Sequence, residues 1–235
     1  MISLNKVTAT TLATFEIFEG LPMQDREAIA DMMSPRQYKA GATLISADED
    51  RSEVFFLANG IVRAFANSRE GKQVQFEELY SGSMFGELSA IDGEPRGNDC
   101  VAVGDVSTAV ISSDAFLTIM HQYPSVMQAV LARLTCLIRK QIQRIYEFST
   151  ESAGARVRLE ILRMIKEEYG KEAQEPLRFQ KVPTHADIAS RISTHREAVT
   201  RELKTLERMG LIDWRPGNYV VHDIAAFEAL ALNHS

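Results

Sequence analysis

The chain has 235 residues, 45% apolar and 25% charged, with a net charge of −6, enough to bury one large core or two small ones. That balance excludes a disordered or fibrous protein, no apolar run is long enough to cross a bilayer, and no leader peptide is read at Met1–Lys6, so a cytoplasmic protein is expected. The acidity is uneven: residues 1–150 hold 13 basic and 19 acidic side chains, residues 151–235 hold 13 of each, and residues 176–215 hold 8 basic and 5 acidic. A basic surface for nucleic acid is therefore available only in the second half.

Residues 10–33 read as helical, with Phe15, Ile17, Phe18, Leu21, Ile29 and Met32 as apolar positions. From about Tyr38 to Ser112 short β-type runs follow one another between glycines and acidic turns: Thr43–Ile45, Glu53–Ala58, Ile61–Ala66, Val74–Phe76, Cys100–Val103 and Thr108–Ile111. Short strands at near-regular spacing predict a β-roll or barrel rather than an alternating βαβ sheet. Cys100 and Cys136 fall in a strand and a helix without metal-ligand spacing and are expected as buried thiols.

Within this β region lies Phe85-Gly86-Glu87-Leu88-Ser89, followed by Pro95-Arg96-Gly97-Asn98. Gly86 lets the backbone approach a ligand closely, Arg96 can fork a phosphate, and Glu87, an acceptor only, suits a sugar hydroxyl. A short helix beginning at Glu87 would add N–H groups to an anion. The alternative is a glycine turn carrying a surface Glu–Arg pair. With Gly41, Gly60, Gly71 and Gly82 at its corners, the segment resembles the cyclic-nucleotide-binding fold, whose phosphate cassette has the same F-G-E-L and P-R elements. The resemblance implies ligand contacts from Gly86, Glu87, Leu88, Ser89, Arg96, Gly97 and Asn98. Two positions depart from the pattern: Gly97 stands where the family usually has a hydroxyl, leaving Asn98 or the Gly97 N–H to serve, and Asp48 stands where glycine is favoured.

A long helix is predicted over Ser125–Phe148, with Pro124 suited to its first turn. Met127, Leu131, Leu134, Ile138, Gln141, Ile145 and Phe148 step by 4 and 3 in strict alternation, a heptad seam that favours a parallel homodimer over packing on the chain's own sheet. Gln141 interrupts the seam, either to set register or, as the resemblance implies, to read the purine beside Lys140 and Ile142. Glu77 is a weaker base-reading candidate, expected on a solvated strand face. Small polar residues from Ser149 to Gly154 read as a hinge. A further helix over 155–169, with Leu159, Leu162, Ile165 and Tyr169 on one face, is closed by Gly170.

Thr184-His185-Ala186-Asp187 carries a hydroxyl three residues before an acid, a helix-start signal. Ile188 and Ala189 would face inward, Arg191-Ile192-Ser193 would turn, and a second helix from near Thr194 would bury Val199, Leu203 and Leu206 while presenting His195, Arg196, Thr200, Arg201 and Lys204. On such a recognition helix Arg196 and Arg201 can fork guanine and Glu197 can accept from cytosine. Thr184, His185, Thr194 and Lys204 suit phosphates. Asp213–Val221 then reads as two strands around Pro216-Gly217, completing a winged helix.

With Arg196, Glu197 and Arg201 in place, nearly the whole chain resembles the cyclic-AMP receptor protein and fumarate–nitrate regulator family of bacterial transcription factors. Ser193 replaces its usual turn glycine. The resemblance implies an α+β architecture: an effector domain over 1–123, a dimerisation helix over 124–148, a hinge over 149–154 and a DNA-binding domain over 155–235. It implies an allosteric homodimer on a near-palindromic double-stranded DNA site, with bacterial RNA polymerase as protein partner, no membrane and no cofactor. Cyclic AMP is the expected ligand, with cyclic GMP left open. Residues 1–35 lack the cysteines of an iron–sulfur sensor, and the five histidines lie outside the β-roll where haem would sit. Motifs of zinc, serine or nucleoside-triphosphate enzymes are absent, so no enzyme is expected. Phosphodiester hydrolysis by Glu87 and Arg96 and a different small effector are the alternatives.

Overall fold

The computed structural model describes residues 4–47, 49, 52–68, 73–170, 176–179, 182–215 and 218–232. Asp48, Gly71, Pro216 and Gly217, which entered the turn assignments above, lie outside them. The chain divides into two compact units, one reaching to Ile138 and one starting at Arg139.

The first unit opens with short pieces rather than one helix: α1 (Ala9–Leu12), a 3₁₀ turn (Glu16–Phe18) and α2 (Met23–Asp31). Gly20, with a φ of 81°, and Pro22, the residue capping α2, break the run. Next come β1 (Ser34–Tyr38), β2 (Thr43–Ile45), β3 (Val54–Asn59), β4 (Ile61–Asn67), β5 (Gln73–Tyr80), β6 (Met84–Phe85), α3 (Glu87–Asp92), β7 (Asp99–Ala102), β8 (Val106–Ile111) and α4 (Ser113–Gln122). Two antiparallel four-stranded sheets form, in the orders β1-β8-β3-β6 and β2-β7-β4-β5. β1 escaped the sequence reading because it is polar and contains Pro35, which an edge strand tolerates. β6 escaped because it has two residues.

The runs Val54–Leu57 and Val106–Ile111 are buried without alternation, Ser107 and Thr108 included, because their sheet is covered on both faces. Phe55 and Val110 pack toward Leu44, Val62, Leu79, Phe85 and Cys100 of the strand core. Phe56, Ala109 and Ile111 pack toward the helices, where Phe56 meets Phe15 and Phe18 at ring-centroid distances of 5.3 Å each. Gly60 turns the corner between β3 and β4 at a φ of 103°, and a Cβ there would lie 2.7 Å from the Asp105 carbonyl oxygen. Cys100 is buried as expected, and burial pushes its thiol up to about 12. Cys136 is exposed instead, because it lies on the solvent side of a helix.

That helix, α5 (Pro124–Thr150), runs through both units and two residues beyond its predicted end. Met127 and Leu134 of the seam are partly buried against the first unit's core, whereas Leu131, Ile138, Ile145 and Phe148 are exposed. The second unit continues with α6 (Ala153–Tyr169), β9 (Leu177–Phe179), α7 (His185–Arg191), α8 (Arg196–Arg208), β10 (Ile212–Arg215), β11 (Asn218–Val221) and α9 (Ile224–Leu232). The expected six-residue hinge shrinks to Glu151 and Ser152: Ser149 and Thr150 still belong to α5, and Gly154 is already in α6, whose first turn is capped by the Ser152 hydroxyl. The unit boundary also differs, falling inside α5 at Ile138/Arg139 rather than in 149–154.

The large apolar side chains buried in α6 are Val157, Ile161, Leu162, Met164 and Ile165, while Leu159 is half-buried. They join Ile188, Val199, Leu203, Leu206, Trp214, Val221 and Phe227 in one core. β9 pairs with β11 and makes the wing three-stranded, in the order β10-β11-β9.

Candidate functional site

Gly86 ends β6 and caps α3 at a φ of 82°. A Cβ here would lie 2.9 Å from a terminal nitrogen of Arg96 and 2.9 Å from the Glu53 carbonyl oxygen. Only glycine supplies both this backbone conformation and the space that lets the Arg96 guanidinium lie against the chain. Arg96 donates from Nη1 to the Gly86 carbonyl (2.7 Å) and from Nη2 to the Glu53 carbonyl (2.6 Å). The carboxylate of Glu53 is in turn forked by Arg36. Burial lowers the pKa of Arg96, opposed by nearby acidic groups including Glu53, Glu49 and Glu87.

Glu87 is 4% exposed and Ser89 is 7% exposed. Burial pushes the Glu87 carboxyl above the usual carboxylate range, Arg133 of α5 opposes that shift, and the like charge of Glu77 adds to it. Arg133 Nε lies 3.7 Å from Glu87 Oε1, and its Nη2 donates to the Met84 carbonyl at 2.6 Å. No local pattern in the sequence marks Arg133 as a pocket residue, since it meets Glu87 only through the fold. Glu77, expected on a solvated face, is half-buried: it stands opposite Ala64 on the inner side of the strand pair that also carries Val62 and Leu79. Buried charges of both signs thus converge around the glycine turn, and each has a partner of opposite charge or a carbonyl.

The remaining expected ligand residues separate. Leu88 is 57% exposed. Gly97 is exposed with open space on its Cβ side. Asn98 is half-buried and directs its amide nitrogen at the Asp99 carbonyl (3.2 Å) and the Cys100 sulfur (3.4 Å). Gln141 is half-buried and belongs to the second unit.

The second unit forms the expected helix-turn-helix from α7 and α8. Thr184 caps α7 through a reciprocal pair of bonds with Asp187. Ser193 turns the chain at a φ of 48°, the one positive φ among described residues other than glycine. α8 starts at Arg196, capped by His195, two residues later than expected. Its inner face is Val199, Leu203 and Leu206; its outer face exposes Arg196, Glu197, Arg201 and Lys204. Thr200 donates to the Arg196 carbonyl at 3.0 Å and meets His185 Nδ1 at 2.9 Å, which ties the start of α7 to α8. Burial and then the Arg196 charge lower the pKa of His185. An open depression runs along α8 and is extended by Glu207, Arg208 and, from β10, Arg215. Arg208 was legible, since it follows Lys204 by four and Arg201 by seven on one helical face.

Two family models match in series: a cyclic nucleotide-binding domain over residues 35–123 and a Crp-like helix-turn-helix domain over residues 155–230. The chain belongs to the cyclic-AMP receptor protein and fumarate–nitrate regulator family. As a member it is a cyclic-nucleotide-binding, DNA-binding transcription regulator. It is 26% identical to the cyclic AMP receptor protein of Thermus thermophilus over 215 residues, covering 92% of this chain and 96% of that protein. It is 24% identical to the regulator CRP of Haemophilus influenzae, covering 79% and 83%. Among solved folds, a CooA variant from Carboxydothermus hydrogenoformans matches with a TM-score of 0.76 at 17% identity, over 92% of this chain and 94% of that one. None of the described helices is long and apolar enough to cross a membrane.

Proposed function

We propose that this family member is a homodimer whose grip on a near-palindromic DNA site is set by a cyclic nucleotide, with cyclic AMP as the first ligand to test. The observation that carries the reading is the pairing of buried Arg96 and Glu87 around Gly86. A guanidinium anchored by two carbonyls keeps its remaining N–H groups for one phosphodiester, and the ionised form of a buried acceptor gains most from a ribose hydroxyl. The relatives named as cyclic AMP receptors support the same ligand class.

The exposed stripe of Leu131, Ile138, Ile145 and Phe148 supports a second copy as its cover, since apolar side chains in heptad positions gain by pairing. Gln141 is assigned to the ligand base within that seam. Two α8 helices from a twofold pair would then enter successive major grooves about 34 Å apart. Arg196, Glu197 and Arg201 are the base readers, while Thr184, His185, Thr194, His195, Thr200 and Lys204 serve phosphates and positioning. Gly97 and Asn98 supply backbone, not a hydroxyl, to the phosphate. RNA polymerase is the proposed protein partner once DNA is engaged.

Calorimetry with cyclic AMP and cyclic GMP, followed by a mobility-shift titration on selected DNA with and without each nucleotide, tests this. Saturable binding of one nucleotide with a tenfold or larger gain in DNA affinity is expected. Binding without any gain would refute the control, and no binding of either would refute the pocket.

A further inference from the structure

The two residues between α5 and α6 form the obvious place for a hinge, yet a buried ion network spans them. Glu147, in the last turns of α5, is 5% exposed, and Glu160 of α6 is 4% exposed. Arg163 of α6 lies between them: its Nη1 donates to Glu147 Oε1 (3.1 Å) and Oε2 (2.9 Å), and its Nε donates to Glu160 Oε2 (3.0 Å). Arg191, the last residue of α7, reaches Glu160 Oε1 at 3.4 Å. Gln143 supports Glu147 from one turn earlier at 3.2 Å. Arg144 is close enough for both acids to favour its charge against a larger effect of burial. A separate tie joins the same two helices, with the Arg156 guanidinium 5.2 Å above the Phe148 ring.

Swinging α6 away from α5 at Glu151–Ser152 would carry Arg163 and Glu160 together off Glu147 and leave that buried carboxylate without its guanidinium, and breaking a buried pair on one side is costly. The network also ends at Arg191, two residues before the Ser193 turn that aims α8. The compact second unit begins at Arg139, so the last three turns of α5 already belong with the helices they are tied to.

We infer that residues 139–150 of α5 are part of the DNA-reading body, clamped to it by Arg163, and that reorientation on ligand binding takes place upstream, near Ile138–Arg139. Arg163 is a positioning residue: it touches neither ligand nor DNA and acts by carrying the direction of the seam helix to α8. The inference rests on the ligand control proposed above.

The protein's single tryptophan, Trp214, lies in the second unit's core and serves as a fluorescence donor. In a Cys136→Ser background, one new thiol at exposed Tyr146 (Y146C) or exposed Thr118 (T118C) carries an acceptor dye. Heterodimers whose unlabelled copy bears Trp214→Phe leave one donor and one acceptor. On saturation with cyclic AMP, energy transfer to position 118 should change while transfer to 146 stays constant. Arg163→Met should keep cyclic AMP affinity within about threefold, reduce ligand-dependent DNA affinity at least tenfold, and make transfer to 146 respond to ligand. A change at 146 as large as that at 118 in the parent protein would overturn the inference and leave ligand control standing. A 146 signal still silent in Arg163→Met would overturn the clamp. Bound nucleotide with no change at either position would remove ligand control and the inference together.

Discussion

Both units of this regulator carry Glu and Arg at the sites proposed for recognition, but they hold them in opposite surroundings. Around Gly86 the charges are buried, at 4% exposure for Glu87 and 7% for Arg96, and backbone carbonyls or Arg133 fix them in place. Along α8 Arg196, Glu197 and Arg201 stand in solvent on a helix whose opposite face is locked by Val199, Leu203 and Leu206. A small anion must be recognised by a few strong contacts, so the first unit removes water and fixes geometry. DNA offers a long row of phosphates and base edges, so the second unit keeps its side chains extended and rigidifies only the scaffold. Salt should therefore weaken DNA binding steeply and nucleotide binding only slightly.

The sharpest break of that contrast is Arg96→Leu. Loss of charge-assisted bonds in a desolvated pocket is expected to cost roughly 1.5–3 kcal/mol or more of nucleotide binding, a loss of at least tenfold by calorimetry, with salt-dependent DNA binding retained. Arg196→Ala should act on the other unit alone. It is expected to lose about 1–3 kcal/mol of discrimination at one base pair, read by competition between matched and mismatched DNA, while non-specific affinity and its salt slope change little.

Ser193→Gly sharpens the comparison from the scaffold side. Relieving a left-handed non-glycine residue should stabilise the second unit by about 1 kcal/mol, seen as a higher unfolding midpoint with nucleotide affinity unchanged. Glu87→Gln addresses pH. Because the folded value of Glu87 is raised, the native unit keeps a proton that the unfolded chain releases, so stability falls as pH rises from the ordinary carboxylate range through the raised value. Thermal midpoints across that window should be flatter for the Gln variant, and an unchanged slope would show that another group titrates.

Features that depend on neighbours in sequence were legible without coordinates. The Thr184–Asp187 capping box, the spacing of Val199, Leu203 and Leu206, the turns at Gly60 and Gly86, and the heptad seam of α5 each express a local backbone preference or a helical period. The same holds for the family motif and for most strands, since apolar runs between glycines have few other uses. Partnerships between distant residues were not legible. Pro35 sits in a strand only because β8 pairs with it, and β9 exists only because β11 offers an edge. Glu77 faces inward through its register with Ala64, and Arg133 joins the pocket because α5 passes Glu87. Local sequence therefore determined the parts and their chemical character, through propensities acting over one or two turns. Tertiary packing decided which charges were buried, what each one paired with, and that α5 contributes residues to both compact units, because burial and pairing are set by residues far apart in the chain.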